Sequence, residues 1–149
     1  MSENLGIIEP NFFDYKEDFH LESGKLLKGF KIIYETYGSL NENKSNAILI
    51  CHALSGNHHA AGQSNDFGIG WWDQIIGPNK AIDTEKYFVV CCNNLGGCAG
   101  SSGPTSINPA TKKVYGKTFP KVSVDDWVNS QKMLMDKLNI DFWHLVAGG

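Results

Sequence analysis

Two loop-like stretches carry the residue types from which a reaction could be built. The first, His52-Ala53-Leu54-Ser55-Gly56, sets an imidazole and a hydroxyl among small residues, and His58-His59 follow at once. The second, 93–121, holds Gly96, Gly97, Gly100, Gly103, Pro104, Pro109 and Pro120 around Ser101, Ser102 and Ser106. Glycine-rich loops often cradle phosphate, but neither a Gly-Lys-Ser/Thr ending nor a G-x-G-x-x-G after a strand is present. Cys51, Cys91, Cys92 and Cys98 lack C-x-x-C spacing and the histidines lack H-x-x-x-H spacing, so no metal site is expected. The adjacent Cys91 and Cys92 also suit a disulfide framework poorly, and reduced thiols are expected. The chemistry that remains open is acyl transfer, in which preorganised backbone N–H groups stabilise the oxyanion of a tetrahedral intermediate. The Leu54 N–H is the candidate donor; the plain alternative is an ordinary tight turn. Ser55, Ser101, Ser102 and Ser106 could be nucleophiles, or loop residues whose hydroxyls bond nearby backbone. His58 and His59 could be a base, or surface or loop-packing histidines.

Those loops need a scaffold. Residues 19–22 and 30–37 around Ser23-Gly24 read as a hairpin; the residues before 19 show no clear period. In the second arm Phe30, Ile32 and Tyr34 alternate with Lys31, Ile33 and Glu35. Three apolar runs, 47–51, 87–92 and 142–146, suit strands covered on both faces. Between the last two lies a helix with Val124, Trp127, Val128, Leu134, Met135 and Leu138 on one face. Ser123 is its N-cap, Asp125 and Asp126 sit in its first turn, Lys137 in its last, and Asn139 is its stop. Strand, helix, strand with apolar strands means a parallel crossover. The class is α/β, with antiparallel strands at the N-terminal edge. Both loops then follow the carboxyl ends of strands, where parallel sheets bind ligands.

The closing residues extend this reading. An apolar strand over 142–147 runs into Gly148-Gly149. In the strand–turn–helix elbow G-x-S-x-G, those glycines would fill the first two positions and a serine nucleophile would come next. The alternative is a frayed terminal strand. In α/β-hydrolases the order is Ser, Asp or Glu, His, which sets His58 and His59 on the wrong side of the elbow.

Composition narrows the partners. The 149 residues are 42% hydrophobic and carry a net charge of −3, without clustered Lys and Arg. Neither nucleic-acid binding nor an anionic membrane surface is expected. No apolar run reaches about 18 residues and no secretory leader opens the chain, so a cytoplasmic location is expected.

The chain resembles the homoserine O-acyltransferase family of the α/β-hydrolase superfamily. The resemblance rests on Tyr34-Glu35-Thr36-Tyr37-Gly38, His52-Ala53-Leu54-Ser55-Gly56, Gly70-Trp71-Trp72-Asp73 and Ile76-Gly77-Pro78. Ile82-Asp83-Thr84, Asn94-Leu95-Gly96-Gly97-Cys98, Gly100-Ser101-Ser102-Gly103-Pro104, Ser106-Ile107-Asn108-Pro109 and Gly148-Gly149 continue it in order. It implies that residues 1–149 are the N-terminal part of one α/β-hydrolase domain, cut at the nucleophile elbow. It also implies transfer of an acyl group from acyl-CoA, acetyl-CoA favoured, to the hydroxyl of L-homoserine through a seryl acyl-enzyme, in the route to methionine. Acyl-CoA would be a co-substrate, with no bound cofactor, and the full-length enzyme would be a homodimer. Leu54 would supply an oxyanion-hole N–H. Ala53, Ser55, Asn94, Gly96 and Gly97 would line the substrate site, and nucleophile, acid and base would lie past Gly149, leaving this stretch alone inactive. A serine O-acyltransferase or an ester hydrolase on the same scaffold, or a non-catalytic α/β binding domain, are the alternatives.

Overall fold

The computed structural model describes residues 4–148. A central sheet has the order β1-β2-β8-β3-β9. Its members are β1 (Asn11–His20), β2 (Leu26–Tyr37), β3 (Ala47–Cys51), β8 (Phe88–Cys92) and β9 (Leu145–Gly148). Two-residue strands β4 (Gln63–Ser64) with β5 (Gly68–Ile69), and β6 (Ile76–Gly77) with β7 (Ile82–Asp83), pair apart from it. One α-helix, α1 (Val124–Lys137), links β8 to β9. β1–β2 and β2–β8 are antiparallel; β8–β3 and β3–β9 are parallel. This is the α/β arrangement with an antiparallel N-terminal edge. No described helix is long and apolar enough to cross a membrane.

The sheet separates two cores. Alternate residues of each strand face opposite sides, so Val90 and Cys92 join Phe13, Phe30, Ile32, Leu134 and Met135 on the α1 side. Val89 and Cys91 join Tyr37, Ile48, Ile50 and Ile76 on the other side, under the segment between β3 and β8.

Three expectations need correction. The hairpin's first arm is not 19–22 but Asn11–His20, because a register shift between Tyr15 and Asp18 interrupts the alternation that a sequence pattern relies on. Glu35, on β2, is 1% exposed because the loop beyond β3 covers that side of the strand. The third apolar run forms a strand only over Leu145–Gly148, with Phe142, Trp143 and His144 ahead of it. β9 has one neighbour, β3, so Leu145 and Val146 stay exposed rather than covered on both faces.

The third correction concerns α1. Its ends are as expected: Ser123 and Asp126 form a reciprocal capping box, and Asn139 takes the left-handed conformation just past the helix. The buried stripe, however, runs through Trp127, Ser130, Leu134 and Leu138, leaving Val124 and Val128 exposed. Asp126 fixes this rotation, since its carboxylate also accepts from the Glu22 N–H at 2.9 Å and is itself buried.

Candidate functional site

The carboxyl ends of β3, β8 and β9 converge on two loops. A cavity of about 240 Å³ lies between them, walled by His52, Leu54, Gly56, Asn94, Gly96 and Gly97 among others. Four of the six residues expected at the site are therefore brought together here: Leu54, Asn94, Gly96 and Gly97. Ala53 and Ser55 are exposed on the same turn without lining the cavity. A larger depression of about 490 Å³ adjoins it across Phe119, between the β1–β2 hairpin and residues 102–119.

The turn after β3 is tight. The Ala53 carbonyl accepts from the Gly56 N–H at 2.7 Å and contacts His52 Nδ1 at 2.7 Å. The Leu54 N–H has no acceptor among the described residues, and its side chain is 88% exposed. An N–H left free beside a cavity at a strand's carboxyl end is what an oxyanion donor requires.

The second loop is held from three directions. Its Asn94 N–H donates to His52 Nε2 at 3.2 Å, joining it to the first loop. From α1, Trp127 Nε1 donates to the Leu95 carbonyl at 2.7 Å and Gln131 Nε2 to Asn94 Oδ1 at 3.1 Å. From β2, Ile33 N–H donates to Ser101 Oγ at 3.0 Å, and Ser101 Oγ donates to the Asn93 carbonyl at 2.6 Å. Gly97 sits where a Cβ would meet the Asn94 carbonyl at 2.8 Å and the Asn93 side chain at 2.9 Å. Gly97→Ala should therefore push this loop off its track and cost about 1–3 kcal/mol, measurable by chemical denaturation.

The hydroxyls take the bland role. Ser102 Oγ accepts from the Lys31 N–H at 2.8 Å and Ser106 Oγ from the Gly103 N–H at 3.0 Å, so both, like Ser101, tie backbone together. Burial pushes the Cys92 thiol up to about 12 and raises Cys51 and Cys91 as well, which leaves these three protonated at neutral pH.

His58 and His59 are not surface residues. Each is 1% exposed, packed with Glu35 on the far side of the first loop. His59 Nδ1 lies 2.9 Å from Glu35 Oε2, and its Nε2 donates to the Gly68 carbonyl at 3.0 Å. Tyr37 Oη donates to Glu35 Oε2 at 2.6 Å and accepts from the Ala60 and Ala61 N–H groups at 2.9 and 3.2 Å. Burial holds the Glu35 carboxyl above the usual carboxylate range, while Tyr37 and His59 pull it back. Burial, with His59 and His52 nearby, lowers His58 to about 4, so it is neutral in the fold.

That has a testable sign. On unfolding, His58 regains an ordinary pKa of about 6.5, so the unfolded state binds more protons between that value and about 4. Relative to a His58→Leu variant, the parent should lose stability as pH falls through this window. Denaturation midpoints of both at several pH values provide the check.

Sequence reasoning did not find Trp127, Gln131 or Asn93 as loop supports, nor the Glu35 cluster. The available signals were an indole N–H that needs a partner and a lone acid within the Ile32–Tyr37 stretch of a strand. The expected elbow rests on Gly148 and Gly149. Gly148 pairs with Cys51, level with the end of β3, and Gly149 lies outside the described residues.

No family model matches the chain. Over 149 residues it is 58% identical to a homoserine O-succinyltransferase from Hahella chejuensis, covering 99% of this chain and 39% of that protein. It superposes on the crystal structure of a homoserine O-acetyltransferase from Bacillus anthracis with a TM-score of 0.89 at 39% identity. That match covers 97% of this chain and 40% of the other. It superposes on esterase E22 with a TM-score of 0.86 at 43% identity, covering 95% of this chain and 40% of the esterase. The chain thus spans well under half the length of each relative.

Proposed function

We propose, on the premise that this chain belongs to the homoserine O-acyltransferase family with its α/β-hydrolase fold, that it builds the oxyanion-hole side of an acyl-transfer site. The observation that carries the reading is the free Leu54 N–H at the cavity rim, set at the carboxyl end of β3 beside β9. Cys51 and Gly148 are in register, so β9 ends level with the strand end that leads into this turn. A serine nucleophile on an elbow there would lie next to the free N–H.

The reaction follows from that placement. The serine oxygen attacks the thioester carbonyl of an acyl-CoA, and the carbonyl oxygen takes negative charge against the Leu54 N–H. Collapse expels the CoA thiol and leaves an acyl-serine. The L-homoserine hydroxyl then attacks the same carbonyl, the oxyanion forms again at the same donor, and serine is released with the O-acyl product. Splitting the transfer lets two substrates use one site in turn. The second loop, pinned by α1, walls the cavity on which exclusion of water would depend.

The deciding experiment is a thiol-release assay on the polypeptide expressed from the complete reading frame. Acetyl-CoA and succinyl-CoA are compared as donors, with L-homoserine, L-serine and water as acceptors. Thiol release that depends on L-homoserine is expected. Likeness to esterase E22 supports a second reading, ester hydrolysis on the same oxyanion hole. That reading predicts acyl release without any amino-acid acceptor. Absence of turnover with every donor would sink both and favour a non-catalytic α/β domain.

A further inference from the structure

We infer that His52 is the positioning residue of the oxyanion hole: its ring sets the direction in which the Leu54 N–H points. The inference rests on the reading of Leu54 above and deepens it. The Ala53 carbonyl and the Leu54 N–H belong to one peptide unit. That unit is trans, as is every described peptide bond, so the two groups point in opposite directions in one plane. Whatever holds the carbonyl therefore aims the N–H.

Two groups hold it. His52 Nδ1 is 2.7 Å from the Ala53 carbonyl, and the Gly56 N–H donates to the same oxygen at 2.7 Å. The protonation of the ring follows from its other edge. Nε2 accepts from the Asn94 N–H at 3.2 Å, and Asn93 Nδ2 lies 3.4 Å away. A nitrogen that accepts carries no hydrogen, so the hydrogen of the neutral ring is on Nδ1 and is donated to Ala53. The ring is thus clamped by a backbone donor on one side and fixes a peptide plane on the other. It is 8% exposed. Gly56 makes room for it: a Cβ there would lie 3.0 Å from His52 Cβ and 3.2 Å from Nδ1.

The geometry yields a test that separates aiming the peptide from tying the loops. The side-chain amide of Asn reaches about as far as Nδ1, and that of Gln about as far as Nε2. His52→Asn can therefore donate to the Ala53 carbonyl but cannot receive the Asn94 N–H. His52→Gln can receive the Asn94 N–H but cannot hold Ala53. Both variants are made in the complete polypeptide and assayed by thiol release, with thermal melting as the folding control. His52→Gln should lose kcat by about tenfold or more with KM little changed. His52→Asn should stay within a fewfold of the parent. Equal kcat in the two variants, or a larger loss in His52→Asn, overturns the inference even if Leu54 remains the donor. If either variant fails to fold, imidazole 15N NMR of the parent serves instead: a His52 hydrogen on Nδ1 supports the inference, and one on Nε2 overturns it. A parent without acyl-transfer activity defeats the reading of the site, which is a distinguishable failure.

Discussion

Leu54→Pro in the complete polypeptide is expected to lower kcat for acyl transfer by about 10²–10³-fold, the usual effect of losing one oxyanion donor. The group at stake is backbone. Proline deletes the N–H, whereas Leu54→Ala leaves it in place and removes a side chain that is 88% exposed. Leu54→Ala should therefore stay near the parent. Leu54 is the second residue of the Ala53–Gly56 turn and is not among the described non-glycine residues with positive φ, a turn position that proline favours. Because proline also favours an extended residue ahead of it, circular dichroism and melting must show that Leu54→Pro is folded. The discriminating quantity is the kcat ratio of the two variants. A ratio near one would remove Leu54 from the mechanism.

Replacing Glu35 should have the largest effect on stability. Its carboxyl, 1% exposed, is shared between Tyr37 Oη at 2.6 Å and His59 Nδ1 at 2.9 Å. One proton lies between Glu35 and His59. The other His59 nitrogen must carry a hydrogen as well, since it faces the Gly68 carbonyl. Glu35→Ala leaves that imidazole and the Tyr37 hydroxyl buried without their acceptor. Breaking a buried pair in this way costs about 3–5 kcal/mol, which for a chain of this size lowers Tm by roughly 10 °C. Glu35→Gln keeps an acceptor for Tyr37 or His59 and should cost less. The damage should reach the candidate site, because Tyr37 holds the Ala60 and Ala61 N–H groups just beyond the turn that carries Leu54. Melting curves of the three proteins test the order; Glu35→Ala as stable as the parent would refute it.

Much of the scaffold was readable before any coordinates. The runs at Ala47–Cys51 and Phe88–Cys92 are central strands because continuous apolar sequence can be buried only with both faces covered. Ser123, Asp126 and Asn139 mark the ends of α1 because capping is local chemistry within one turn. The turn carrying Leu54 was legible for the same reason, being a short motif after a recognisable strand. Less legible were features set by neighbours distant in sequence. The bulge in β1 depends on its pairing with β2, and the rotation of α1 depends on Glu22 and Leu95.

Composition and local pattern were thus enough for the fold class, the strand ends that frame the site and the candidate donor at Leu54. Which side chains aim that donor is another matter. His52 reaches Asn94, 42 positions away, and His59 reaches Glu35, 24 positions away. No periodicity encodes such contacts. A histidine on paper is equally a base, a ligand or a surface residue, and what its two nitrogens do is settled only when packing chooses a partner for each. The same packing makes Glu35 the buried centre of a network, because the segment beyond β3 folds back over β2.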